Sequence, residues 1–198
     1  MTVSAAPPVI TGQWFDPPTE SRWWFDSGSL ALDFAYTGAL AGNPETLHSP
    51  ADLGRWLAAR FPTIDPELSE REWSDALGFR AAVAQLALAA ADHNDLPAPQ
   101  IDVINLFAAL ADLPPVLPGG TRQAGASRGR PTQALASIAR DAVTTFGPTS
   151  RSRIRACSAE DCPLVYLDTS RSGNRRWCSM QRCGNRAKVR AHRARSTR

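Results

Sequence analysis

The chain has 198 residues, of which 43% are hydrophobic and 21% charged, with a formal net charge of +3. That length suits one ordinary domain and a small accessory one, and the composition is that of a soluble globular protein. The longest apolar stretch, Ala81 to Ala91, spans 11 residues, contains Gln85 and is too short to cross a bilayer.

Met1 to Ile10 has no basic start followed by an apolar core. No secretory signal is expected there, and the thiols are expected to stay reduced in the cytoplasm. The net charge conceals a split. Residues 1–150 carry 9 Arg/Lys against 16 Asp/Glu, a net of −7, and residues 151–198 carry 13 against 3, a net of +10. Twelve of those 13 cations are arginine, whose planar fork matches phosphate bidentately. An acidic body with a basic arm for a polyanion is the expectation.

Residues 1–20, rich in Pro, Thr and Ser, read as a flexible arm, with Trp14 and Phe15 placed to dock it. Ser27 to Tyr36 has no clean period. It fits a helix with Leu30, Asp33 and Phe34 on one side better than a short strand. Ser49 before Pro50 is an N-cap with proline at the first helical position. Leu53, Trp56, Leu57 and Phe61 then form an apolar stripe. Asp65 before Pro66 repeats the start signal. It predicts a long helix to about His93, with Trp73, Leu77, Val83 and Leu86 toward a core and Gly78 as its weak point.

A fourth helix is expected over Pro99 to Ala111, with Val103, Leu106, Phe107 and Leu110 on its apolar face. Residues 112–131 are a loop or poor hairpin. A fifth helix, Pro131 to Phe146, carries Leu135, Ile138, Ala142 and Val143, and Gly147 and Pro148 stop it. Trp23, Trp24, Trp56 and Trp73 are expected in the core or at an interface. Asp33 is expected to pair with Arg80, while His48 and His93 flank turns without forming a catalytic pair. The domain reading is therefore an arm (1–20), a helical body (21–147), a hinge (148–153) and a basic finger (154–198).

The four cysteines, Cys157, Cys162, Cys178 and Cys183, all lie in that finger as C-x4-C, a spacer of 15 residues, and C-x4-C. Close pairs of reduced cysteines across a short spacer read as one tetrathiolate zinc site. Two disulfides conflict with the compartment. An iron–sulfur cluster conflicts with the spacing and the Arg-rich surroundings. A catalytic zinc needs an open position that four thiolates do not leave. Zinc would contribute on the order of 10–16 kcal/mol of folding energy to a segment too short for its own core.

Within the spacer, Leu164 to Asp168 favours a strand, Thr169 to Asn174 turns, and Arg175 to Trp177 returns. This reads as a hairpin between the cysteine pairs. Asn185 to Arg195 lacks Gly and Pro and reads as a helix. The expected fold is thus a mainly α N-terminal domain, with room for a small β-hairpin, plus a treble-clef-like finger of hairpin and helix.

The run Cys178-Ser179-Met180-Gln181-Arg182-Cys183-Gly184-Asn185-Arg186-Ala187-Lys188-Val189-Arg190 resembles the CGNR-type zinc finger. Asp168, Ser170, Arg171 and Arg175-Arg176-Trp177-Cys178 match the residues that precede its second cysteine pair. Leu30-Ala31-Leu32-Asp33-Phe34 resembles the start of the ABATE domain, which precedes this finger in stress-induced transcription regulators. Tyr36, Ser172 and His192 depart from the family's usual asparagine, asparagine and tyrosine. The resemblance implies that the four cysteines bind one zinc ion, that the finger binds DNA and that the upstream domain senses a signal or small-molecule ligand.

Four thiolates and one zinc ion sum to −2, which leaves the arm about +8 toward phosphate. On a helix after Cys183, Arg186, Arg190 and Arg193 share a face, with Ala187, Ala191 and Ala194 beside it. Arg171, Arg175 and Arg176 form a second contact set. The expected nucleic-acid-binding residues are these six together with Asn185 and Lys188, with Arg186 and Arg190 nearest the base edges. Asn185 can equally cap the helix, Asp168 can accept hydrogen bonds within the hairpin, Trp177 suits the finger's small core and His192 is expected exposed. An RNA- or ribosome-binding module and a zinc-braced protein–protein module are the alternatives. An enzyme ranks last, because the finger offers only His192 and Asp168 beside its cysteines. No membrane partner is expected. A homodimer through the apolar body would pair two fingers.

Overall fold

Ser29 opens the helix around which the body is built. Its hydroxyl accepts from the Leu32 N–H, and helix α1 (Leu30–Ala35) follows with all six residues buried. Asp141 reinforces this start, accepting from the Ser29 hydroxyl at 2.6 Å and from the Ala31 N–H at 2.8 Å. The helix alternative for this stretch is therefore the one realised.

The computed structural model describes residues 11–15, 21–114 and 128–196. The elements before α1 are β1 (Gln13–Phe15) and β2 (Trp23–Phe25), an antiparallel pair with Trp14 opposite Trp24. After it come α2 (Pro50–Ala58), α3 (Glu70–Ala91), α4 (Ala98–Ala108) and α5 (Pro131–Phe146). Next are β3 (Ile154–Ala156), β4 (Val165–Leu167) and α6 (Asn185–Ser196). A 3-10 turn at Arg151–Arg153 precedes β3, and a π-helical turn at Met180–Gly184 runs into α6.

Helix α1 packs against α3 and α5, and α4 covers those same two helices. Leu32, Phe34, Leu53, Leu57, Phe79, Leu86 and Leu135 are fully buried among them. The core continues without interruption into Ile154, Val165, Tyr166 and three of the cysteines.

Several expectations change at this level. Residues 13–15, assigned to a flexible arm, form a strand, because Trp14 and Phe15 pair with β2; residues 1–10 and 16–20 lie outside the described residues. The long helix begins at Glu70 rather than Pro66. Ser69 and Glu72 form a reciprocal capping box there. Ile64 instead bridges Gly129, with the Asp65 N–H donating to the Gly129 carbonyl at 2.8 Å. Of the loop expected over 112–131, residues 115–127 fall outside the described residues.

Helix α4 buries Ile104 and packs Val103 and Phe107 against the core as expected, whereas Leu106 is 67% exposed and Leu110, beyond the helix, is 40% exposed. Val143 is also exposed, and Ala139 takes the inward position on α5. Trp23, Trp56 and Trp73 pack on the core, whereas Trp24 is exposed. Asp33 and Arg80 do not pair. Asp33 accepts from the Gly12 N–H at 2.5 Å and the Ser27 hydroxyl at 2.6 Å, and Arg80 is held by Glu45 at 2.5 Å. Burial pushes the Asp33 carboxyl up to about 6, although both hydrogen bonds pull it down.

The segment 148–153, read as a hinge, contains the 3-10 turn, and the finger is bonded to the body on several sides. The Leu167 N–H donates to Ser27 O at 2.8 Å, and Arg175 donates to Asp26 O at 3.2 Å. Gly28, at φ +79°, permits this approach, since a Cβ there would stand 2.5 Å from the Leu167 carbonyl oxygen.

Candidate metal centre and nucleic-acid interface

Strand β4 pairs antiparallel with β3, so the hairpin encloses the first cysteine pair rather than joining the two pairs. This corrects the expected register. Residues 175–177 form no strand, because the Ser158 N–H donates to Arg176 O and the Tyr166 hydroxyl to Arg175 O, both outside a ladder. The Cys157 N–H donates to Leu164 O at 2.8 Å and the Cys162 N–H to Ala159 O at 3.0 Å, which folds the first knuckle. Cys183 lies in the π-helical turn, closed by the Gly184 N–H on Ser179 O at 3.0 Å. Gly184 fits there because a Cβ would meet Met180 Sδ at 2.8 Å and Trp177 Cδ1 at 3.3 Å.

The four sulfurs lie within 4.8 Å of one another, and all four cysteines are free thiols. Cys162 to Cys178 is 3.7 Å and Cys178 to Cys183 is 3.5 Å. A tetrahedron with zinc–sulfur bonds of about 2.3 Å has sulfur–sulfur edges of about 3.8 Å, so the donor set fits zinc in size and chemistry. Hydrogen bonds from the Cys162 and Cys178 thiols hold the Cys157 thiol well below the usual range. The resulting thiolate pushes Cys162 up to about 12 and Cys178 up as well. Thiolates packed this closely repel one another, and a zinc ion supplies the compensating charge. The Cys178 N–H, 3.4 Å from Cys157 Sγ, and Arg186 Nη2, 3.2 Å from Cys183 Sγ, donate to the sulfurs from outside.

Asp168 is buried and organises the turn, accepting from the Ser170 N–H at 2.9 Å and the Arg175 N–H at 2.8 Å. Burial would raise its pKa, but these hydrogen bonds hold the carboxyl below the usual range. Trp177 is half-buried with the Arg176 guanidinium 5.2 Å from its ring centroid.

The expected nucleic-acid residues divide into four groups. Arg171, Arg176, Lys188 and Arg193 are exposed. Arg186 and Arg190, at 3.2 and 3.3 Å, both hold Asp161. Arg175 is placed otherwise than expected. It stacks 4.1 Å from the Tyr166 ring centroid and donates to the carbonyls of Trp177, Cys178 and Asp26, so it braces the finger from within. Asn185 is exposed and back-bonds to Gln181 O at 3.3 Å. His192 is exposed as expected, and so are His48 and His93.

Sequence reasoning missed Tyr36, Asp161 and Arg182. Tyr36 bonds to both backbone groups of Val165 at 2.7 Å, and Arg182 lies 4.6 Å over the Trp23 ring. Tyr36 carried a signal, since it stands where the ABATE pattern has asparagine. For the other two the sequence offers no local cue.

The fold and the site define a helical domain carrying a zinc finger whose four cysteines form one structural zinc site. A family model described as "Putative stress-induced transcription regulator", the ABATE domain, matches residues 28–147, and the CGNR zinc finger model matches residues 153–196. The ABATE match covers more than half of the chain, so the protein belongs to the ABATE family, with a CGNR zinc finger following that domain. No curated protein matches the chain. Neither family description is that of an enzyme. No helix among the described residues is long and apolar enough to cross a membrane.

Proposed function

We propose that the protein is a zinc-dependent, DNA-binding transcription regulator whose finger has a treble-clef arrangement and acts on DNA in the cytoplasm. One observation carries the reading. Helix α6 contains no acidic residue and leaves Lys188, Arg190 and Arg193 exposed, next to a zinc-braced turn that exposes Arg171 and Arg176. Arginines on a rigid frame present phosphate donors without the ordering entropy of a loose tail. Asp161 holds Arg186 and Arg190 until phosphates or base edges compete for them. The helical body is the place for a regulatory signal to enter.

Fluorescence anisotropy with the zinc-loaded full chain tests this. Random duplex DNA should bind with a log–log salt slope near −5 if about six phosphates are contacted. A flat salt dependence rejects the reading. Tighter binding of a structured RNA hairpin than of duplex DNA, measured in competition, transfers the function to RNA. Loss of all nucleic-acid retention at low salt leaves the arginines to an acidic protein partner.

A further inference from the structure

A cavity of about 520 Å³ lies where the β1–β2 hairpin, the loop after α1 and the zinc finger meet. Ordinary small-molecule sites span roughly 300–1,000 Å³. One wall is apolar, formed by Phe15, Trp23, Tyr36 and Leu164, with the Phe15 and Tyr36 rings 5.6 Å apart. The other wall carries Arg182 and Arg186. Arg182 is positioned by its stack on Trp23 and Arg186 by Asp161 and Cys183 Sγ, so both guanidinium groups are held in place before any ligand arrives.

Two cations against an apolar wall call for an anion with an apolar body. Among the described residues one acid, Asp161, lies in the lining, and it is already engaged by Arg186 and Arg190. A planar carboxylate matches guanidinium bidentately.

The geometry points to this cavity as a binding site for a small organic acid, with its apolar or aromatic body against Phe15 and Tyr36 and its carboxylate on Arg182 and Arg186. The site also reaches the finger. Arg186 belongs to α6, Arg182 to the π-helical turn that carries Cys183, and Cys162 itself lines the cavity. Resting on the DNA-binding reading, the regulatory consequence follows from charge. A carboxylate that takes up Arg186 withdraws a cation from the DNA face, so ligand weakens DNA binding and DNA weakens ligand by the same factor.

The site is tested on the zinc-loaded full chain without DNA. Benzoate, salicylate and indole-3-acetate are titrated against tryptophan emission, with benzamide as the neutral counterpart of benzoate. The expected result is a saturable change with the carboxylates and none with benzamide. Arg182→Gln should weaken it by about tenfold or more, and Arg182→Lys should restore part. Zinc content and the thermal midpoint identify folded variants, and the benzoate–benzamide comparison needs no variant. No saturable carboxylate response, or equal binding of benzamide, overturns the site. A second arm measures duplex DNA affinity with and without saturating benzoate. A several-fold loss supports the coupling, and an unchanged affinity overturns it. A chain that binds benzoate but no DNA at all contradicts the DNA reading and leaves the site standing.

Discussion

The Tyr36 hydroxyl donates to the Val165 carbonyl and accepts from the Val165 N–H, both at 2.7 Å. One side chain of the body thereby satisfies both outward backbone groups of Val165 on the edge of β4 away from β3. Tyr36→Phe strips these partners from buried groups and should cost about 1–3 kcal/mol. The loss should be read in urea unfolding, with earlier proteolysis within residues 154–196. A variant as stable as the parent would mean that β4 does not depend on the body.

Removing the metal tests the finger's construction. Chelation, or Cys183→Ser, should withdraw zinc stabilisation on the order of 10–16 kcal/mol from the finger. Near-ultraviolet signal from Trp177 and all DNA binding should disappear while most of the far-ultraviolet signal of α1 to α5 remains. Stoichiometric zinc in the purified reduced protein is the first measurement, and its absence would end the case for the site.

Two neighbouring arginines should behave differently. Arg176→Gln should lower the magnitude of the salt slope by about 0.9, one phosphate contact, with unchanged unfolding. Arg175→Gln should instead destabilise the finger, because its guanidinium holds three carbonyls and lies on Tyr166. Equal effects of the two on salt slope and stability would remove this division of roles.

Glu45 and Arg80 form an enclosed ion pair in the body, with Arg80 only 5% exposed. Glu45→Gln leaves that cation without its counterion and should cost about 1–3 kcal/mol in denaturant unfolding. The hydrogen bond from Arg80 lowers the Glu45 pKa from 4.5 to about 2. Its contribution is therefore present above pH 4.5 and is lost as pH falls through about 2. Glu45 itself is 39% exposed, so solvent screens the pair and moderates that loss.

Asp33 has the opposite sign. Burial raises its pKa from 3.8 to about 6, so the folded state favours the protonated acid. The associated stability is present below pH 3.8 and is lost as pH rises through about 6. Two units amount to about 3 kcal/mol. The difference in unfolding free energy between the parent and Asp33→Asn should therefore fall between pH 4 and pH 7. A difference that stays constant across that range would contradict the buried-acid assignment.

The helix start at Ser49 and the whole metal site were legible because their determinants are local. A cap bonds within three residues, and each C-x4-C pair closes its own turn. Asp65–Pro66 misled for the same reason. It resembles a helix start, but Gly129, 64 positions away, takes the Asp65 N–H into a bridge. Leu106 and Val143 fit a helical period, yet which stripe faces inward depended on where α3 and α5 lay. Arg175 and Arg176 are adjacent and chemically identical. Only the position of Tyr166 and Asp26 turns one inward and leaves the other exposed.

By itself the sequence determined that four sulfurs would surround one zinc ion, that a charge of +10 would gather in residues 151–198, and that a helical body would precede it. The tertiary structure alone decided that β4 pairs with β3, that Tyr36 ties the finger to the body, and that Arg182 and Arg186 line a cavity beside Phe15 and Trp23. The division follows from range. Coordination, capping and net charge depend on residue type and short spacing. Strand pairing and cavity walls depend on groups far apart in the chain, brought together once the core has packed.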